Sequence, residues 1–279
     1  MTGARGAYVA RKDRDWLAGN PYPGRGLAIG CTADGGASAQ LYWIMGRSRS
    51  SRNRRFVAAG GGAVQVEVAD PGAGTPGGDR SLILYRALAV AKAGAPGAAT
   101  TVAEGAASGP RPAHAVHVVA NGDQTDTIAT GLAAGDSFAA AFARCDVEPD
   151  PPHYTPRIAG MVAAGGAGGY ELAIVKTAAG DPRQVSFQHF VYRSPRPGWG
   201  HCITTYEGDG APLPSFEGEP FLLPLAATPR QAVRELWDLL DPDNRVAALA
   251  KFVDRATGAV RMEIVNRYAG GGERSGGAC

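Results

Sequence analysis

The densest run of side chains able to do chemistry extends from Arg47 to Arg55. There Arg47, Arg49, Arg52, Arg54 and Arg55 alternate with Ser48, Ser50, Ser51 and Asn53. Guanidinium forks and hydroxyl donors placed after a strand suit bidentate capture of a phosphate or carboxylate, with a directionality that lysine lacks. A solvated arginine loop in an arginine-rich chain accounts for the same run. A second group, Asn121, Gly122, Thr125, Asp126 and Thr127, stands where a strand passes into a helix. The first amides of a helix, with hydroxyls beside them, can bind an anion or a nucleotide oxygen. Ordinary capping of orphan amides by Thr125 or Asp126 is the preferred explanation of these residues taken alone.

A third group, Asp146, Glu148 and Asp150, lies in the proline-rich segment CDVEPDPPHYTPR. A carboxylate on a loop stiffened by prolines can act as a general acid or base, although most loop carboxylates are only solvated. His114 and His117 fall on opposite faces of a strand, so one metal ion cannot easily take both. Cys202 beside His201 invites a nucleophile reading, but Cys202 reads as an interior strand residue, where cysteine is commonly inert. No GxSxG elbow, HExxH helix, phosphate-binding GxxxxGK[ST] loop or GxGxxG turn of the dinucleotide type stands out, which weakens hydrolase-triad, zinc-protease, ATPase and hydride-transfer readings.

The elements that must hold these groups are mainly strands. NPYPGRG forces a turn before an apolar strand at 27–30. Asp34 and Gly35 then signal a hairpin to a strand at 39–46. Further strands are expected at 64–68, 82–90, 115–120, 158–163, 170–176, 185–192, 201–206 and 260–265. Helices are expected at 125–134, after an Asp136 N-cap, after a Thr228 N-cap with Pro229 in the first turn, and at 244–253. Strands come in runs with helices inserted between them, which predicts an α+β fold rather than a doubly wound sheet. Residues 69–80 and 93–113 read as loops, 1–19 as an N-terminal extension and 269–279 as a tail, around a single domain whose core spans about 20–268.

Composition sets the outer bounds. With 279 residues and 44% hydrophobic content the chain can bury a large core, and 40 glycines with 20 prolines make it turn-rich but not of low complexity. A net charge of +2 is too mild for a general nucleic-acid binder, and the aromatic interleaving that stacks bases is missing between Arg47 and Arg55. Cys31, Cys145, Cys202 and Cys279 form no CxxC pair, as expected of reduced thiols in a cytoplasm. Neither a signal-peptide segment nor an apolar run of about 18 residues appears, so secretion and membrane insertion are not expected.

Several segments together resemble one family. NPYPGRG before a strand, YWIMGRS followed by SRNR, LILYRAL, NGDQTDTIA, YTPRIAG and ITTYEGD occur in the order found in archaeal-type IMP cyclohydrolases and their bacterial relatives. They cover most of residues 20–207. The resemblance implies a four-layered αββα sandwich similar to the Ntn-hydrolase fold, without that superfamily's processed N-terminal nucleophile. It also implies dehydrating ring closure of 5-formamidoimidazole-4-carboxamide ribonucleotide (FAICAR) to IMP, with no metal or organic cofactor.

Carried over motif by motif, Arg54, Tyr85 and Glu148 resemble the family's catalytic arginine, tyrosine and glutamate. Arg47, Ser48, Asn53, Asn121, Gly122, Asp126 and Thr127, with Thr155 and Arg157, would hold the ribose phosphate and the base. The crowded arginines leave Arg52 as an alternative to Arg54, and Asp146 and Asp150 stand as alternatives to Glu148. The implied partner is a small purine nucleotide, with homo-oligomerisation possible and neither nucleic acid nor membrane involved. Closure of a FAICAR-like analogue in a purine-nucleoside pathway, or nucleotide binding without turnover, would use the same residues.

Overall fold

A computed structural model describes residues 12–73, 84–92, 115–164 and 169–268. The fold is α+β and is dominated by two antiparallel sheets. The first sheet holds β1 (Gly26–Cys31), β2 (Ala37–Met45), β10 (Trp199–Thr204), β11 (Phe221–Pro224), β12 (Arg245–Asp254) and β13 (Val260–Asn266), in the order β11-β10-β1-β2-β12-β13. The second runs β3 (Arg54–Ala58), β4 (Val64–Val68), β5 (Arg86–Lys92), β6 (Ala115–Ala120), β7 (Arg157–Ala163), β8 (Tyr170–Ala178) and β9 (Asp181–Tyr192), each beside the next.

Side-chain alternation assigns the faces of the second sheet. On β6, β7 and β8, Val116, Val118, Ala159, Met161, Ala173 and Val175 form one core with Ile128 and Leu132 of α3 (Gln124–Ala133) and Phe138 and Phe142 of α4 (Phe138–Phe142). The opposite face, with Val119, Ile158, Leu172 and Ile174, packs into a larger core against the first sheet. The sheets approach so closely that a Cβ on Gly160 of β7 would lie 2.6 Å from Ile29 of β1. α5 (Pro229–Leu239) covers the outer side of the first sheet at β12 and β13.

Local rules explain most elements. Thr228 caps α5 by accepting from the amide of Gln231, with Pro229 in the first turn, as its sequence predicts. The hairpin of β1 and β2 forms around Asp34 and Gly35, where Gly35 takes a positive φ of 68°. Three expectations are corrected. The segment 244–253, expected as a helix, is strand β12 between β2 and β13; it is buried on both faces, so its alanine-rich run carries no alternation and helix propensity is overridden by sheet pairing. The cap before α4 is Ser137, whose hydroxyl accepts from the amide of Ala140, and not Asp136. The serine and arginine run is not a loop throughout: Ser48 caps the short helix α2 (Arg49–Arg52), and Arg54 opens edge strand β3.

α1 (Arg14–Gly19), within the stretch read as an extension, is capped by Asp13 and places Leu17 in the larger core. Expectations for 82–83, 74–80, 93–113, the tail 269–279, His114 and Cys279 lie outside the described residues. Cys31, Cys145 and Cys202 are buried free thiols. Among the described residues, no helix is long and apolar enough to cross a membrane.

Candidate active site

One end of the two sheets gathers the polar groups, because β1, β3, β5 and β7 begin there while β2, β6 and β10 end there. The turn before β1 sets the first of them. Gly24 has a φ of 72°, and a Cβ on it would lie 2.3 Å from the hydroxyl of Thr205 and 2.5 Å from the ring of Tyr206. Only glycine allows so close an approach. The amide of Arg25 then donates to Oγ1 of Thr205 at 3.1 Å, and the amide of Thr205 donates back to the Arg25 carbonyl at 2.8 Å.

This turn brings the Arg25 guanidinium to Glu148, on the loop between α4 and β7. Nη2 of Arg25 lies 3.0 Å from each carboxylate oxygen and donates a well-aligned hydrogen bond to Oε2. Oε1 is buried and receives no hydrogen bond among the described residues, while Nη1 of Arg157 stands 3.7 Å from it. Burial pushes the Glu148 carboxyl above its ordinary value, against the pull of the Arg25 and Arg157 guanidiniums. For Arg25, burial opposes the charge, but Glu148, with Tyr85, Tyr206 and Tyr42, leaves the guanidinium more firmly protonated than usual.

The loop that carries Glu148 is stiff. The Glu148 amide donates to the Thr155 carbonyl at 2.9 Å, and Asp150 accepts both the Thr155 amide and the Thr155 hydroxyl. The Thr155 hydroxyl also shares a short hydrogen bond with Tyr206. The three acids of this loop therefore differ: Asp146 is exposed and accepts from the Val147 amide, Asp150 braces the loop, and Glu148 faces Arg25.

Arg54 and Tyr85 come in from the second sheet. The Arg54 guanidinium is buried and donates to the carbonyls of Ser51 and Met45 at 2.8 and 2.9 Å. Burial lowers its pKa, with Tyr85, Tyr22 and Tyr42 favouring the charge and Arg25 opposing it. The hydroxyls of Tyr85 and Tyr42 are 2.7 Å apart, and burial raises the Tyr42 phenol well above its ordinary value. Arg52 instead donates to the Gly46 carbonyl and the Asn244 side chain. Of the two arginines, Arg54 is the one beside the tyrosine pair.

The expected binding residues divide. Arg157 is buried beside Glu148, held by Gln124 at 2.8 Å and Asp123 at 2.9 Å. Asn121 is buried and bonded to the Pro156 carbonyl, the Ile158 amide and Gln124, which fixes the end of β6 against the start of β7. Arg47 lies at the surface, paired with Asp209 and stacked over the ring of Tyr22. Ser48 is the exposed cap of α2, and both amide atoms of Asn53 bond the backbone of Asp70. Asp126 is exposed and paired with Arg86 at 2.9 Å, Thr127 is exposed on α3, and the Thr125 hydroxyl donates to the Gly122 carbonyl.

Arg25, Tyr42, Gln124 and Tyr206 belong to the cluster without having been singled out as site residues from the sequence. All four lie inside segments that carry the family resemblance. Among the described residues, no group of three or more His, Cys, Asp or Glu side chains is arranged to hold a metal ion. The cluster as a whole offers a buried carboxylate with one free oxygen, two guanidiniums around it, and a phenol pair beside a third guanidinium. That set can accept a proton at one atom while stabilising negative charge at another.

No curated protein matches the sequence. A family model described as IMP cyclohydrolase-like protein matches residues 22–258, a span that contains every residue of this cluster. The chain therefore belongs to the IMP cyclohydrolase-like protein family.

Proposed function

We propose that the protein is an IMP cyclohydrolase that closes the ring of FAICAR to give IMP and water in purine biosynthesis. The observation that carries this reading is the buried neighbourhood of Glu148, Arg25, Tyr85, Tyr42 and Arg54, supported by the family match. Phosphate binding alone would require neither the buried carboxylate nor the phenol pair.

In the reaction, the carboxamide nitrogen attacks the formyl carbon, a C–N bond forms, and the formyl oxygen becomes a hydroxyl on a tetrahedral carbon. That oxygen then departs as water. One hydrogen of the water comes from the carboxamide and the other from the formamide nitrogen. An amide nitrogen is a poor nucleophile, so the step needs a proton acceptor and an oxyanion partner. Glu148 accepts the carboxamide proton at Oε1, the oxygen with no hydrogen bond among the described residues, and gives it to the formyl oxygen as that becomes the hydroxyl. Tyr85 hydrogen-bonds the same oxygen, passes it a second proton as it leaves and regains one from the formamide nitrogen as the ring C=N bond forms, with Tyr42 as its hydrogen-bond partner. Arg54 stabilises the negative charge that develops on that oxygen. Arg157 and Arg47, with Ser48, Asn53, Asn121, Gly122, Asp126, Thr127 and Thr155, form or frame the surface for the ribose phosphate and base.

The layer order of α5, two facing sheets, and α3 with α4 supports the four-layered, Ntn-hydrolase-like architecture that the resemblance implies. Both sheets supply the site, so the chain acts as one domain. The deciding experiment mixes purified protein with FAICAR, without metal or cofactor, and follows IMP by mass and ultraviolet absorbance against a protein-free blank. Conversion above the blank is expected. IMP binding without conversion would overturn the reading.

A further inference from the structure

We propose that Arg25 is a positioning residue for the reaction: it holds Glu148 as a carboxylate with Oε2 occupied and Oε1 turned free to take the substrate proton. The inference rests on the cyclohydrolase reading of the site.

Three observations carry it. First, the geometry is directional. A single nitrogen, Nη2 of Arg25, lies 3.0 Å from both carboxylate oxygens, yet its aligned hydrogen bond goes only to Oε2. Oε1 is left buried without a hydrogen-bond donor among the described residues. A carboxylate that accepts a proton needs such an oxygen, because one saturated with donors is a weak base. Second, the pairing is imposed from outside the pair. The left-handed Gly24, fitted against Thr205 and Tyr206, and the reciprocal backbone bonds of Arg25 and Thr205 fix where the guanidinium starts. On the other side, the Thr155 carbonyl and the Asp150 brace fix where the carboxylate starts. Third, burial alone would favour a protonated, neutral Glu148, which could not act as a base. A charged partner is therefore needed at this position.

The groups facing Glu148 are Arg25 from the turn before β1, Arg157 from β7, Asp150 and Thr155 from its own loop, and Tyr206 after β10. Asp150 opposes ionisation of Glu148 and Arg157 supports it from 3.7 Å. Arg25, nearer and hydrogen-bonded, is the stronger of the two cationic influences.

The test compares wild type with Arg25→Gln, Arg25→Lys and Arg157→Gln. Two readouts are taken: the pH profile of kcat/KM, and the titration of the Glu148 carboxyl by 13C NMR, assigned with Glu148→Gln. Arg25→Gln is expected to move the acidic limb and the Glu148 titration upward together, by about 1–3 pH units, the range an adjacent opposite charge supplies. Its activity should recover as pH rises. Arg157→Gln should move both by less.

Should Arg25→Gln fail to fold, Arg25→Lys decides. A lysine keeps the charge and loses the fork, so the limb should stay near wild type while kcat falls about tenfold or more from misdirected Oε1. An acidic limb and a Glu148 titration that do not move in Arg25→Gln, or an Arg25→Lys variant with wild-type kcat, would overturn the proposal. The NMR titration needs no substrate. A protein that does not convert FAICAR but whose Glu148 titration shifts on losing Arg25 would sink the cyclohydrolase reading and leave the coupling intact.

Discussion

Nη1 of Arg157 occupies the space that a side chain on residue 122 would need: a Cβ built on Gly122 would lie only 1.6 Å from it. The guanidinium has little freedom to yield, because Gln124 and Asp123 hold it from one side and Glu148 draws it from the other. The glycine of the NGDQTD segment therefore serves to admit a buried arginine beside the carboxylate.

Gly122→Ala should consequently displace Arg157 while leaving the fold in place, and lower kcat/KM about 10- to 100-fold. The same substitution made in an Arg157→Ala background should cost much less, because the closest clash is gone and only the end of the Gln124 side chain, 2.5 Å from that Cβ, still has to give. Steady-state kinetics of the two single variants and the double variant check this. Additive losses would place the effect of Gly122 elsewhere.

How much of this was legible in the sequence follows from how local each signal is. The strand at 115–120 and the Thr228 cap of α5 were readable because alternation and capping act over a few residues. β12 was not, since a strand buried on both faces loses its alternation, and Ala247, Ala248 and Ala250 give it a helix-like composition. The motif carry-over singled out Arg54, Tyr85 and Glu148. Arg25 escaped notice because a lone arginine in a glycine turn has no spacing signature, and its meaning comes from a carboxylate 123 positions away. The roles of Asn121 and Asn53 as braces likewise depend on long-range bonds to 156–158 and to Asp70.

Tyr85→Phe and Glu148→Gln should each lower kcat on the order of 10²–10³-fold with KM changed only a few-fold, since each removes a group that the proposed mechanism uses mainly in the transition state. Wild-type turnover in both variants would remove them from the catalytic set.

Tyr42→Phe should have a milder effect of the same kind. Its hydroxyl lies 2.7 Å from that of Tyr85 and, in the proposed mechanism, acts on substrate through it, so kcat should fall about tenfold. In a Tyr85→Phe background the loss should disappear, because the hydroxyl it acts through is absent. A Tyr42 effect that persists in that background would assign Tyr42 an independent contact.

Arg47 is paired with Asp209 at the protein surface and stacked on Tyr22, so a phosphate reaching Arg47 competes with that carboxylate. Arg47→Ala should raise KM several-fold with little change in kcat, whereas Asp209→Asn should lower KM, most visibly at low salt where exposed charges are least screened. An unchanged KM in both would remove Arg47 from the binding surface.

Lys251 predicts a pH-dependent stability unrelated to the site. It lies fully buried between the sheets, donates to the Gly62 carbonyl at 2.8 Å, and has its pKa lowered by burial from 10.5 to about 7. Beside it, burial and the Lys251 charge lower His117 to about 3. For Lys251, both folded and unfolded chains carry the proton below about pH 7, and the folded state bears the full penalty of a buried charge. Between about 7 and 10.5 the unfolded chain binds more protons than the folded one, so stability rises with pH across that window. Chemical denaturation of wild type from about pH 6 to about pH 10 should show that rise, of a few kcal/mol at most. Lys251→Met, which replaces the ammonium with an apolar chain of similar length, should flatten the profile and be the more stable protein at the acidic end. A wild-type profile already flat over this window would mean that the ammonium keeps its proton and its hydration inside the fold.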